Sequence, residues 1–218
     1  MDFVADSRGR LGLRASRSHD VIALRACPLA VDAINDAEEL RQPWQAGATV
    51  RFAASTDGLH VTPEDGNAAT AIERVGGAML DVAASGFWQV HRHAAQQFTQ
   101  RAIDLLDPQP GEFLLDLYSG VGLFARMLAP ILGSGGRVVL VESDNRAGRL
   151  AKRNLRGFHA EVVVDRVDRW LAKRSLARVD LIVLDPPRAG AGKLVMTEAL
   201  RLRPRRVLYV ACDPASLA

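Results

Sequence analysis

From about residue 10 to residue 90 apolar and polar positions alternate in short runs, at 11–15, 21–24, 49–54, 59–62 and 78–82. Between them stand Asp57-Gly58, Asp65-Gly66 and Gly76-Gly77. A period of two puts every second side chain on one face, so each run predicts a half-buried strand that ends in a tight turn. One stretch, 31–40, has helical spacing instead. Together these elements predict a small, antiparallel, β-rich subdomain over residues 1–90.

The period changes at His93. Ala94, Phe98, Ala102, Leu105 and Leu106 mark one face of a helix that runs into the breaker cluster Asp107-Pro108-Gln109-Pro110-Gly111. Beyond it, continuous apolar runs at 113–117, 138–141, 161–164, 181–184 and 207–210 predict strands. Amphipathic stretches at 123–132, 146–156, 167–173 and 193–202 predict helices between them. Strands apolar on both faces and separated by helices imply parallel pairing with both faces covered. Residues 91–218 are therefore expected to form a doubly wound, mostly parallel α/β sheet. Ligands in such sheets bind beyond the carboxyl ends of the strands.

Composition adds little to that picture. The 218 residues are enough for one well-packed domain and a smaller one, and 48% of them are hydrophobic. No apolar run reaches the ~20 residues of a membrane helix, and the amino terminus lacks a signal-peptide layout, so a cytoplasmic protein is expected. Three of the 28 basic residues are lysine and the rest arginine, whose forked guanidinium suits phosphate, so an RNA partner is permitted. Cys27 and Cys212 are the two cysteines, too few and too far apart for a disulfide framework or a local metal-ligand pair.

The candidate chemistry sits at predicted strand ends. Ser119-Gly120-Val121-Gly122 follows the first strand of the second region and opens a helix, and its glycines allow a sharp turn and close backbone approach to a ligand. Glu142 ends the next strand, where a carboxylate accepts hydrogen bonds from ribose hydroxyls. Gly120-Val121-Gly122-Leu123-Phe124-Ala125 also satisfies the dinucleotide fingerprint, so an NAD- or FAD-dependent oxidoreductase is a rival. Against it stands Asp116, expected as an anion better suited to a cationic amino-acid moiety than to a pyrophosphate. Asp185-Pro186-Pro187-Arg188 ends the fourth strand, its prolines fixing the backbone behind the carboxylate. Cys212, in Tyr209-Val210-Ala211-Cys212-Asp213-Pro214, ends the fifth and is expected at the same edge.

By these motifs, and by Phe87-Trp88-Gln89-Val90, the chain resembles the uridine-C5 RNA methyltransferases, which make 5-methyluridine in tRNA and ribosomal RNA with S-adenosylmethionine. The resemblance implies a class I methyltransferase-like sheet, cofactor contacts from Gln89, Tyr118, Glu142 and Asp185, and Cys212 as nucleophile. It implies an RNA substrate whose target base leaves its stack. The chain departs from the family pattern in several places. His91, Leu123 and Ser119 replace residues usual there. The fifth helix, the last two strands and the general-base segment have no counterpart before Ala218, so the sheet is expected to be incomplete and turnover to stall. A non-catalytic RNA- or cofactor-binding remnant is accordingly a further alternative. Cys27 resembles the last of four iron–sulfur ligands found in some relatives, but one thiolate cannot hold a cluster, and no metal is expected.

Overall fold

A computed structural model describes residues 1–64, 69–174, 176 and 178–211. The chain divides into two compact units, Met1–Glu73 with Val82–Gly86, and Arg74–Asp81 with Phe87–Ala218.

In the first unit β1 (Asp2–Ala5), β2 (Leu11–Arg14) and β3 (Val21–Ala23) precede a single helical turn, α1 (Asp32–Asn35), and a 3₁₀ turn (Glu38–Leu40). The strands β4 (Thr49–Ser55) and β5 (Gly58–Pro63) follow. The five strands form an antiparallel sheet in the order β3-β2-β1-β4-β5. Its inward face carries Phe3, Leu11, Val50 and Phe52, with Phe3 and Phe52 edge to face at 5.3 Å. Ile34, Leu40 and Cys27 close the core over them. The helix predicted over 31–40 is broken after Asn35, because hydrogen bonding there favours a stop. The Asn35 side chain turns back to the Cys27 backbone, accepting its N–H at 2.8 Å and donating to its carbonyl at 3.1 Å. The Arg41 guanidinium takes the carbonyls of Asn35, Asp36 and Ala37 that a further turn would have used.

Two further strands, β6 (Thr70–Val75) and β7 (Ala78–Ala83), pair as a separate hairpin. Its turn residues Gly76 and Gly77 both have positive φ, 51° and 84°, the conformation two-residue hairpins require. The strands β1 and β6 were not expected from the sequence.

The second unit continues with α2 (Ala94–Leu106), β8 (Phe113–Leu117), α3 (Leu123–Leu132), β9 (Arg137–Glu142), α4 (Asn145–Asn154) and β10 (Ala160–Val164). After these come α5 (Val167–Lys173), β11 (Leu181–Leu184), α6 (Gly192–Arg201) and β12 (Arg206–Tyr209). The five strands are parallel in the order β10-β9-β8-β11-β12, so the α/β expectation for this region holds. Alternate residues feed two cores. Leu114, Leu140, Leu181 and Val183 pack with Leu128 and Ala151 of the helices on one face. Leu115, Leu117, Val139 and Leu184 pack with Trp170, Leu171 and Val195 on the other. Burial on both faces is why these strands read as continuous apolar runs. The sheet's amino-terminal edge is pinned by polar contacts, among them Phe113 N–H to buried Asp180 at 2.9 Å and the Arg205–Glu112 ion pair at 2.7 Å. Nearby, Arg201 pairs with Glu198 and Arg206 with Asp107. Among the described residues no helix is long and apolar enough to cross a membrane.

Candidate active site

Strand order reverses around β8: β9 lies on one side and β11, two helices later in the chain, on the other. The chain leaves β8 through α3 to β9 on one side and comes back from β10 through α5 to β11 on the other; such a switch point is where sheets of this kind open a crevice at the carboxyl edge. Into it the chain delivers the loop after Leu117. Three of the loop's residues have left-handed backbone: Tyr118 at φ 61°, Gly120 at 55° and Gly122 at 83°.

The two glycines answer different demands. A Cβ on Gly122 would lie 2.9 Å from Leu155 Cδ2 and 3.1 Å from Leu140 Cδ2, so this glycine lets α3 settle on the core. A Cβ on Gly120 would meet nothing within 4 Å, so this glycine leaves space open beside the backbone. Glu142 fixes the loop from the end of β9. One carboxylate oxygen accepts the Gly120 N–H at 2.8 Å and the other the Asp144 N–H at 2.7 Å, which ties the turn after β8 to the entry of α4.

Asp116, at the end of β8, is completely buried. Its Oδ2 accepts the Ala125 N–H at 3.1 Å in the first turn of α3, while its Oδ1 and the nearby Ser119 Oγ are buried without a hydrogen-bond partner among the described residues. Burial pushes the Asp116 carboxyl up to about 8; the Ala125 bond opposes the shift, and the charges of Asp185 and Glu142 add to it. Burial thus favours the neutral form of the group that the sequence suggested as an anion. Asp185 ends β11, donates its N–H to Leu117 O at 3.3 Å, and is pushed up to about 6 by burial. Tyr118 donates its hydroxyl to Ala191 O at 3.3 Å, and the Ala191 N–H returns to the Tyr209 hydroxyl at 3.1 Å, so the ends of β8 and β12 converge on the start of α6.

Of the residues singled out in the sequence, Tyr118, Glu142 and Asp185 thus meet at one sheet edge. Gln89 is partly buried in the segment before α2, and no hydrogen bond links it to those three. Cys212 lies outside the described residues; just past β12, Val210 N–H reaches Leu184 O at 2.8 Å. Cys27 is buried in the first unit's core and serves packing. The sequence reading missed Asn154. It is buried in α4, donates to Val121 O in the glycine loop at 2.9 Å, and holds Asp81 of the β6–β7 hairpin through bonds of 2.7 and 3.0 Å. The readable signal was a polar residue at an inward position of an otherwise apolar helix face. Tyr209 was passed over as part of a strand.

No family model matches the chain. Along its whole length it is 36% identical to an uncharacterized RNA methyltransferase of Streptomyces coelicolor, SCO5901, and covers 55% of that protein. Over 64% of its length it is 38% identical to the 23S rRNA (uracil(1939)-C(5))-methyltransferase RlmD of Azoarcus sp. BH72, covering 33% of it. The chain thus spans about half the length, or less, of these curated relatives. Among solved structures it is similar throughout to the tRNA (uracil-54, C5)-methyltransferase of Pyrococcus abyssi in complex with S-adenosyl-L-homocysteine. That likeness has a TM-score of 0.74 at 20% identity, with 66% of that chain covered, and it shows a shared fold. Sequence similarity to RNA methyltransferases therefore extends over the full chain, and similarity to the Azoarcus uracil-C5 enzyme over 64% of it.

Proposed function

We propose that this chain is the cofactor-binding and catalytic portion of an S-adenosylmethionine-dependent RNA methyltransferase acting on uridine C5 in tRNA or ribosomal RNA, in the cytoplasm. The observation that carries the reading is the carboxylate-lined turn after β8, joined to the similarity with RNA methyltransferases along the whole chain.

The residues fit the cofactor's chemistry. Open space beside Gly120 admits a ligand close to the backbone, and the unpartnered Asp116 Oδ1 and Ser119 Oγ are poised for hydrogen bonds. Glu142 is placed to accept from ribose hydroxyls. Buried Asp116 and half-buried Asp185, at the same edge, become anionic more readily beside a sulfonium and an ammonium. When bound, S-adenosylmethionine supplies an electrophilic methyl group. In this reading Cys212 adds as a thiolate to uracil C6, which makes C5 nucleophilic enough to accept that methyl; loss of the C5 proton then expels the thiolate. Gln89 is retained as a further cofactor contact.

The dinucleotide alternative meets a specific obstacle. A pyrophosphate is held by free backbone N–H groups at the glycine loop and the helix start. Here Gly120 N–H is bound by Glu142 and Ala125 N–H by Asp116, so carboxyl groups occupy two of the donors a diphosphate would use. Calorimetric titration separates the two, with saturable binding expected for S-adenosylhomocysteine and none for NAD(H) or FAD. Incubation with 5-fluorouridine RNA and S-adenosylmethionine is expected to trap a covalent complex that is lost on Cys212→Ala. A folded chain that binds S-adenosylhomocysteine and RNA yet forms no adduct would point to the non-catalytic alternative.

A further inference from the structure

We infer that the solvent face of α4 is a contact surface for the phosphate backbone of RNA. This rests on the RNA methyltransferase reading and adds to it a partner surface outside the cofactor crevice. The helix buries Gly148, Leu150, Ala151 and Asn154 on the sheet, while Arg149, Lys152 and Arg153 are exposed, followed by exposed Arg156 just past the C-cap. Spacings of three, four and seven residues stack these four cations along one face. Among the described residues one carboxylate answers them, Asp81, which pairs with Arg153 at 2.9 Å. Like charges at these spacings oppose helix formation. The helix dipole favours cations in the last turn but does not account for Arg149. A polyanion does account for the whole row.

The chemistry of the row selects among polyanions. An anionic membrane surface is bound by helices that insert an apolar face, and the apolar face of α4 is already buried in its own sheet. The exposed row carries no aromatic side chain on which a base could stack, so it suits backbone phosphates rather than bases. At ~1.5 Å of rise per residue, Arg149 to Arg156 spans roughly 10 Å, the reach of about three successive phosphates on one strand. The row therefore contributes affinity and salt dependence and leaves the choice of uridine to the crevice.

The test is fluorescence anisotropy with a short fluorescein-labelled RNA hairpin carrying uridines in its loop, titrated at about 50 to 200 mM salt. A combined Arg149→Gln, Lys152→Gln, Arg156→Gln variant leaves the Arg153–Asp81 pair intact and relieves like-charge repulsion, so it keeps its fold. It is expected to bind about tenfold more weakly and to flatten the log K against log salt slope by about 2. A charge-matched control, Arg8→Gln, Arg14→Gln, Arg17→Gln on the first unit, is expected to keep the wild-type slope. The inference is overturned if the α4 variant keeps the wild-type slope, if the control loses as much, or if the wild type does not bind the RNA. Titration with S-adenosylhomocysteine runs in parallel: its failure strikes the functional reading, while the salt slopes judge α4 alone.

Discussion

Asp116 is a buried carboxyl group with one hydrogen-bond partner among the described residues, the Ala125 amide, and its proton links folding to ligand binding. Its carboxyl ordinarily titrates near 3.8 and in the fold is pushed up to about 8. Between those values the folded chain holds a proton that the unfolded chain releases, so the stabilising contribution is complete below about pH 4 and is lost as pH rises through 8. Asp185, pushed up to about 6, acts in the same sense over a narrower window. Urea midpoints of the wild type are therefore expected to fall from pH 5 to pH 8, and Asp116→Asn to remove most of that fall. Parallel pH profiles for the two proteins would mean the buried acid is not the titrating group. A cationic cofactor favours the ionised form, so S-adenosylmethionine binding should release a proton and tighten with pH between 6 and 8, by up to about tenfold per unit. Calorimetry in buffers of different ionisation enthalpy reads that proton directly. The sequence placed Asp116 at its strand end because position follows from periodicity. Its protonation did not follow, because it depends on how completely neighbouring elements exclude water.

The element that positions the chemistry is the turn from β8 into α3, and its two glycines separate stability from binding. Gly120→Ala puts a Cβ into open space at a left-handed φ, which costs about 1 kcal/mol of stability but fills room beside the loop. Its S-adenosylhomocysteine affinity is expected to fall at least tenfold. Gly122→Ala forces a Cβ onto Leu155 and Leu140, and should lose about 2–3 kcal/mol in denaturant unfolding. If Gly120→Ala bound normally, the open space beside that glycine would not be the ligand's. Asn154 supports the same turn from α4, and Asn154→Ala strands the Val121 carbonyl and both Asp81 backbone groups. A loss of about 2–3 kcal/mol is expected, together with weaker S-adenosylhomocysteine binding. The glycine loop was legible because it falls between a continuous apolar run and one of period 3.6. The hairpin strand β6 was not, since Thr-Ala-Ile-Glu-Arg-Val mixes charge into its alternation and its pairing is supplied by β7. The 31–40 segment misled for a related reason: its helical spacing is real, but the Arg41 guanidinium takes the carbonyls that would have continued the helix.

At the scale of the whole molecule, the order β10-β9-β8-β11-β12 concentrates the candidate chemistry in one of two compact units. The parallel sheet was readable from sequence because apolar strands alternating with amphipathic helices admit few arrangements once crossovers are right-handed. The antiparallel unit was readable only in outline, because strands of three to seven residues carry too few positions to fix where each begins. Tyr118, Glu142 and Asp185 all belong to the second unit, as do the amides of Ser119, Gly120 and Gly122 that shape the loop. A ligand that binds only the folded form at about 100 times its Kd stabilises it by about 2.7 kcal/mol, which slows opening about a hundredfold for amides that exchange through the transition it suppresses. Hydrogen exchange with and without S-adenosylhomocysteine should therefore show added protection in β8, β9 and β11 and in the first turns of α3 and α4, with β1 to β5 unchanged. Protection concentrated in β1 to β5 would move the ligand to the other unit and remove Glu142 and Asp185 from its site. Uniform protection would mean instead that the two units open together, so that ligand bound to one of them holds the other closed.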